Sequence, residues 1–209
     1  MSDKIPRYVL TTLTAVALAS LSLPGCKDRS ATPPAVVDQA KPAGDQPVNA
    51  DAAAVSGFLE RVKEYVALHQ KLEDALPHLS KESTPQEIDK HQRALGQQIQ
   101  ASRREAKQGD IFVPASQAVF KQLLARVFGG GDGPALKASI MDENPGIPAL
   151  AVNERYPDAV PLSTIPPQVL RGLPKLPEEM EFRFIGNDLI LMDVHAHIIA
   201  DVIRNAFPQ

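Results

Sequence analysis

Apolar residues recur at three- and four-residue spacing through Val55, Leu59, Val62, Val66, Leu72, Leu76 and Leu79, with His69 on the same stripe. That is the period of one face of an α-helix, and Asp51, a residue type that caps helix starts, stands just ahead of it. Pro77 has no N–H to donate and disfavours helical geometry at Leu76, so the pattern predicts a long amphipathic helix reaching about Leu76. Thr84-Pro85-Gln86-Glu87 joins a capping box to a first-turn proline and opens a second helix running to about Lys107, with Gly109 as its stop. Its stripe is thin, Ile88, Leu95 and Ile99 with Ala94 and Ala106. Lys90, Arg93, Arg103, Arg104 and Lys107, diluted by Glu87, Asp89 and Glu105, make the rest a solvated face. The short link between the two predicts an antiparallel helical hairpin.

Pro114 to Phe128 reads as a third helix, strongly apolar through Val119, Phe120, Leu123, Leu124, Val127 and Phe128, that covers the hairpin's stripe. Gly129, Gly130 and Gly131 end it, and Leu136 to Met141 reads as a short helix opening at Pro134. Asn144 to Pro177 is crowded with prolines and predicts an ordered loop wrapped over the core, with a short helix near Pro166 to Arg171. Glu181 to Ile185 alternates polar and apolar residues, Gly186-Asn187 makes a two-residue turn, and Asp188 to Met192 returns as the partner of a β-hairpin. Val194, Ile198, Val202 and Ala206 recur every four residues, which favours a terminal helix capped by Asp193, although Ile198 and Ile199 also suit a strand. The expected class is α+β, mostly α: hairpin, third helix, wrapping loop and a small C-terminal β-hairpin.

Composition adds little to this and excludes more. The chain has no Trp and few aromatics, so the core must be largely aliphatic. A net charge of -3 argues against nucleic acid as a partner, since its binders usually concentrate basic charge on one surface. The single cysteine, Cys26, permits neither an intrachain disulfide nor a cysteine-based metal cluster.

Lys4 and Arg7 precede an uncharged apolar stretch from Tyr8 to Leu23, the layout of a secretory leader and somewhat short for the roughly 20 residues that span a bilayer. Leu23-Pro24-Gly25-Cys26 resembles the lipobox of bacterial lipoproteins, with Pro24 standing where that family usually carries a small residue. The resemblance implies cleavage before Cys26 and lipidation on it, and Lys27 implies an outer-membrane destination, facing the periplasm, in a Gram-negative host. Residues 1–25 are then the signal peptide and 26–50 a tether too poor in apolar residues to offset the entropy of ordering, with 51–209 the single folded domain. The stretch from Leu162 to Ala206 resembles the C-terminal region of uncharacterised bacterial exported proteins, which implies no particular activity.

Asp193-Val194-His195-Ala196-His197 resembles the Asp-x-His-x-His metal signature of amidohydrolase-type barrels. In a strand these alternate residues share a face and could converge on an ion, yet too little chain follows to build a barrel. In a helix His195 and His197 lie about 200° apart, which leaves only His197 with Asp201 one turn on. The run Gly129-Gly130-Gly131-Asp132-Gly133 lacks the Gly-Lys-Ser/Thr of a phosphate cradle and reads as a connector, and His69 reads as a hydrogen-bonded packing residue. No Gly-x-Ser-x-Gly or His-Glu-x-x-His is present, and no cofactor is expected. The expectation is a lipid-anchored envelope protein working by non-catalytic binding or scaffolding, its helical hairpin a surface for a protein partner. The alternative is a metal-dependent hydrolase using Asp193, His195 and His197.

Overall fold

The computed structural model describes residues 49–143 and 150–207. These fall in the compact unit Asp45–Gln209, while Cys26, the expected leader and nearly all of the expected tether lie outside the described residues.

Helix α1, Ala50–Glu73, is capped by Asn49, whose side chain accepts from the Asp51 and Ala52 N–H groups. Asp51, expected as the cap, instead sits in the first turn, where a carboxylate faces the positive end of the helix dipole. The helix stops before Leu76, three residues earlier than expected. Helix α2, Pro85–Ser102, starts as read: Thr84 and Glu87 form the reciprocal capping box, and the Thr84 N–H holds the Glu87 carboxyl below the usual carboxylate range. Helices α1 and α2 make the antiparallel hairpin, and α3, Pro114–Phe128, packs on α1. Helix α4, Gly133–Glu143, is longer than its sequence pattern suggested, and α5 is the short turn Pro167–Leu170.

Three antiparallel strands follow in the order β1, Met180–Ile185, β2, Asp188–Asp193, and β3, Ile198–Ile203. The hairpin of β1 and β2 matches the expectation, turning at Gly186 with φ of 52°. The terminal helix does not form: the segment pairs with β2 as β3, and all six of its residues are buried. One face of the sheet packs with the helices through Phe182, Phe184, Leu189, Leu191, Ile198 and Ile203. The other, through Ile190, Met192, Ile199 and Val202, is covered by Leu150 and Tyr156 from the Pro-rich segment. A strand covered on both faces has no polar alternation, and Ile198, Ile199, Val202 and Ile203 are β-branched and favour the extended backbone.

Two devices fix β3 against the helices. A bulge puts Ala200 between the pairs Leu191–Asp201 and Met192–Ile199, and the Arg103 guanidinium donates to the Ala200 carbonyl at 3.3 Å. Asp201, fully buried, accepts from the N–H groups of Gly109, Ile111 and Phe112, which clamps the loop before α3 onto the strand. Gly96 lets α2 approach the β2–β3 connection, since a Cβ there would stand 3.0 Å from the Ala196 carbonyl oxygen.

Candidate metal centre

Tyr65, His69 and Glu73 are spaced by four residues along α1, so their side chains share one line down the helix. That line faces the end of β2 and the connection to β3. Asp193 closes β2, and its Oδ1 accepts from the Ala196 N–H at 2.8 Å, which folds residues 194–197 into a tight connection. His197 takes a left-handed backbone, φ 57°, and the chain re-enters the sheet at Ile198, opposite Asp193.

The other carboxylate oxygen of Asp193, Oδ2, takes two hydrogen bonds inside the protein. The Tyr65 hydroxyl donates to it at 2.9 Å, and His69 Nδ1 lies at 2.6 Å, with His69 and Asp193 both fully buried. Burial, with the Asp193 charge beside it, pushes the Tyr65 hydroxyl well above its ordinary pKa and keeps it a donor. Arg103 lies 4.8 Å from the Tyr65 ring centroid, so the same arginine braces the ring and the bulge.

With Nδ1 committed to Asp193, His69 presents Nε2 to Glu73, whose Oε2 stands 3.1 Å away. Burial alone would lower the His69 pKa, but its bond to Asp193 and the charges of Asp193 and Glu73 outweigh that and raise it. Glu73 Oε1 reaches two further histidines, His91 Nε2 of α2 at 3.6 Å and His195 Nδ1 at 3.7 Å. The cluster grades from buried His69 through half-buried Glu73 to exposed His195, so its outer side meets solvent.

His69, Glu73 and His195 each offer a ligand atom, all within 4.8 Å of one another, the arrangement among the described residues that fits a metal ion. Ligand atoms bonded at about 2.1 Å to one tetrahedral ion stand about 3.4 Å apart. The separations of 3.1 and 3.7 Å from the two Glu73 oxygens to His69 and His195 straddle that spacing. Asp193 behind His69 supplies what metal-binding histidines commonly have, a carboxylate that fixes ring orientation and tautomer.

The residues singled out from the sequence therefore divide. His195 belongs to the cluster, and Asp193 orients His69 from behind. His197 turns away to stack on Tyr156, with Nδ1 3.4 Å from Gln92 Oε1, and burial followed by the Arg155 charge lowers its pKa. Asp193, His195 and His197 thus do not converge, and Asp201, the partner that a helix would have given His197, is held by backbone N–H groups. His69, read as a packing residue, is the buried anchor of the site, and Glu73 was not singled out at all. The expectation of a non-catalytic domain is overturned by this cluster, whose His69, Glu73 and His195 are arranged to hold a metal ion.

Two other sequence features resolve as structure. Gly129 to Gly131 connect α3 to α4, and the basic face of α2 is partly spent, Arg93 pairing with Asp89 and Asp158. Among the described residues no helix is long and apolar enough to cross a membrane. Family models, curated proteins and solved structures were each compared with the chain, and none matches it.

Proposed function

We propose that the protein is a metal-dependent hydrolase of the zinc class, with His69 Nε2, Glu73 and His195 as ligands. The observation that carries this is the 2.6 Å contact between His69 Nδ1 and Asp193, which leaves only Nε2 of a fully buried imidazole to face a carboxylate and a second histidine. A zinc ion held there by the two histidines and the carboxylate would supply Lewis-acid activation of water at neutral pH. The protein's own part is to hold three ligands from two elements, to keep Tyr65 and Asp193 dry behind them, and to leave the His195 side open to substrate. His91, beside Glu73, is positioned to hold that carboxylate in place.

Zinc titration by calorimetry, followed by hydrolysis of p-nitrophenyl acetate, tests both halves. Wild-type protein should bind about one zinc and hydrolyse the ester faster when loaded than when stripped, and Glu73→Gln and His195→Ala should lose both. Zinc binding without any rate gain would end the hydrolase reading.

We further propose that this domain works at a membrane surface, tethered through lipid on Cys26. The lipobox-like Leu23-Pro24-Gly25-Cys26 supports the reading, and each buried methylene of an acyl chain contributes about 0.8 kcal/mol, so that several chains hold firmly. Palmitate labelling that persists in a Cys26→Ser variant would contradict it. On this reading the hairpin of α1 and α2 would serve as the surface for a partner in the envelope, and membrane crosslinking tests for one.

A further inference from the structure

Beside the cluster, the connection from α1 to α2 and the first turns of α2 enclose a cleft of about 240 Å³. Leu76, Pro77, Leu79 and Ala94 give it an apolar side, while Ser83, Glu87, Lys90 and two histidines line the rest. Leu79, past the end of the expected helix, is an exposed large hydrophobic, 42% accessible. His91 belongs to both places: it lines the cleft, and its Nε2 stands 3.6 Å from Glu73 Oε1. A cleft with apolar walls and a few polar groups is the usual make-up of a small-molecule site, and through His91 this one reaches the edge of the candidate metal cluster. Ligand sites for drug-sized molecules run to roughly 300–1,000 Å³, so this cleft suits a short chain and not a whole large ligand.

We propose that the cleft takes the acyl chain of a short-chain carboxylic ester whose carbonyl lies at the His69–Glu73–His195 cluster, a reading that rests on the hydrolase function above. Water adds to the acyl carbon, the bond from that carbon to the alcohol oxygen breaks, and the alcohol leaves with a proton from the attacking water. The products are a short-chain acid and an alcohol. His91 lies at the boundary between the chain and the reacting carbonyl, which makes it a positioning residue for Glu73.

The test compares p-nitrophenyl acetate with p-nitrophenyl hexanoate on zinc-loaded, full-length protein carrying Cys26→Ser, so that no acyl chain of its own competes. Zinc content is measured on each sample. Wild-type cleft residues should favour hexanoate by at least about tenfold in kcat/KM, the scale on which apolar pockets discriminate chain length. Ala94→Trp, which fills the cleft, and Leu79→Asp, which makes it polar, should each abolish the preference while zinc content stays full. No preference in the parent, or a preference kept by both fully loaded variants, overturns the inference. Metal-free protein gives an independent reading, because saturation-transfer NMR should show hexanoate bound and Ala94→Trp should lose the signal. If zinc does not bind, the hydrolase reading fails on its own, and the NMR result alone decides whether the cleft holds an acyl chain.

Discussion

His69 Nδ1 and Asp193 Oδ2 stand 2.6 Å apart with both side chains fully buried, which ties the C-terminal part of the first helix to the end of the second strand. A buried carboxylate is stable only where donors surround it, and Asp193 has three, from Tyr65, His69 and Ala196. The same contacts that satisfy this charge aim the other nitrogen of His69 at Glu73. Stability and site geometry therefore share one residue.

Asp193→Asn tests that sharing. The amide keeps the shape but turns an NH₂ group or a weaker acceptor towards groups that donate, so stability should fall by about 3 kcal/mol in urea unfolding. Zinc affinity should fall by about 10- to 100-fold, the usual effect of removing a partner behind a ligating histidine. A variant as stable as wild type with unchanged zinc affinity would refute the role given to Asp193.

The pH dependence of metal-free protein follows from His69. Its pKa is raised in the fold, so the folded state holds the proton more tightly than the unfolded chain does. That stabilisation is complete below the unfolded histidine value of about 6.5 and is lost as pH rises through the higher folded value. The urea midpoint of metal-free protein should accordingly decline from pH 6 towards alkaline pH, and Glu73→Gln should flatten the decline. Zinc competes with the Nε2 proton, so its affinity should rise across the same interval.

Asp201→Asn addresses another fully buried carboxylate, one that has no part in the metal cluster. It accepts from the N–H groups of Gly109, Ile111 and Phe112, and an amide cannot satisfy all of them. The expected loss is on the order of 3 kcal/mol, with zinc affinity in the folded protein unchanged. Parallel losses of stability and affinity would show that the loop before α3 also shapes the site.

Gly133→Ala tests the joint between α3 and α4. A Cβ at Gly133 would lie 1.9 Å from the Phe128 carbonyl oxygen, whereas at Gly131 it would meet nothing within 4 Å. Gly133→Ala should therefore cost about 3 kcal/mol, and Gly131→Ala should stay within about 0.5 kcal/mol of wild type. Equal thermal unfolding of the two variants would contradict this packing.

Much of the fold was legible because its signals are local. The Thr84–Glu87 capping box, the apolar run of α3 and the Gly186-Asn187 turn each act within a few residues, and each element starts where these signals place it, although α2 ends at Ser102, short of the expected Lys107. Strand β3 was read as a helix because burial on both faces erases the alternation that marks a half-buried strand. The site was half legible. Asp193 and His195 stood out by motif, but their partners lie more than a hundred residues earlier, and that pairing depends on how β2 docks against α1. A local trace did exist, since Tyr65, His69 and Glu73 recur every four residues and place three polar groups in line beside the apolar stripe.

The most direct measurement is metal content. Full-length protein without a histidine tag, incubated with zinc and passed through a desalting column, is analysed by mass spectrometry beside His69→Ala and His195→Ala. About one equivalent retained by wild type and lost by both variants is the expected result for a site of two histidines and a carboxylate. Wild-type protein retaining less than about a tenth of an equivalent of zinc, manganese or iron would contradict the account at its centre.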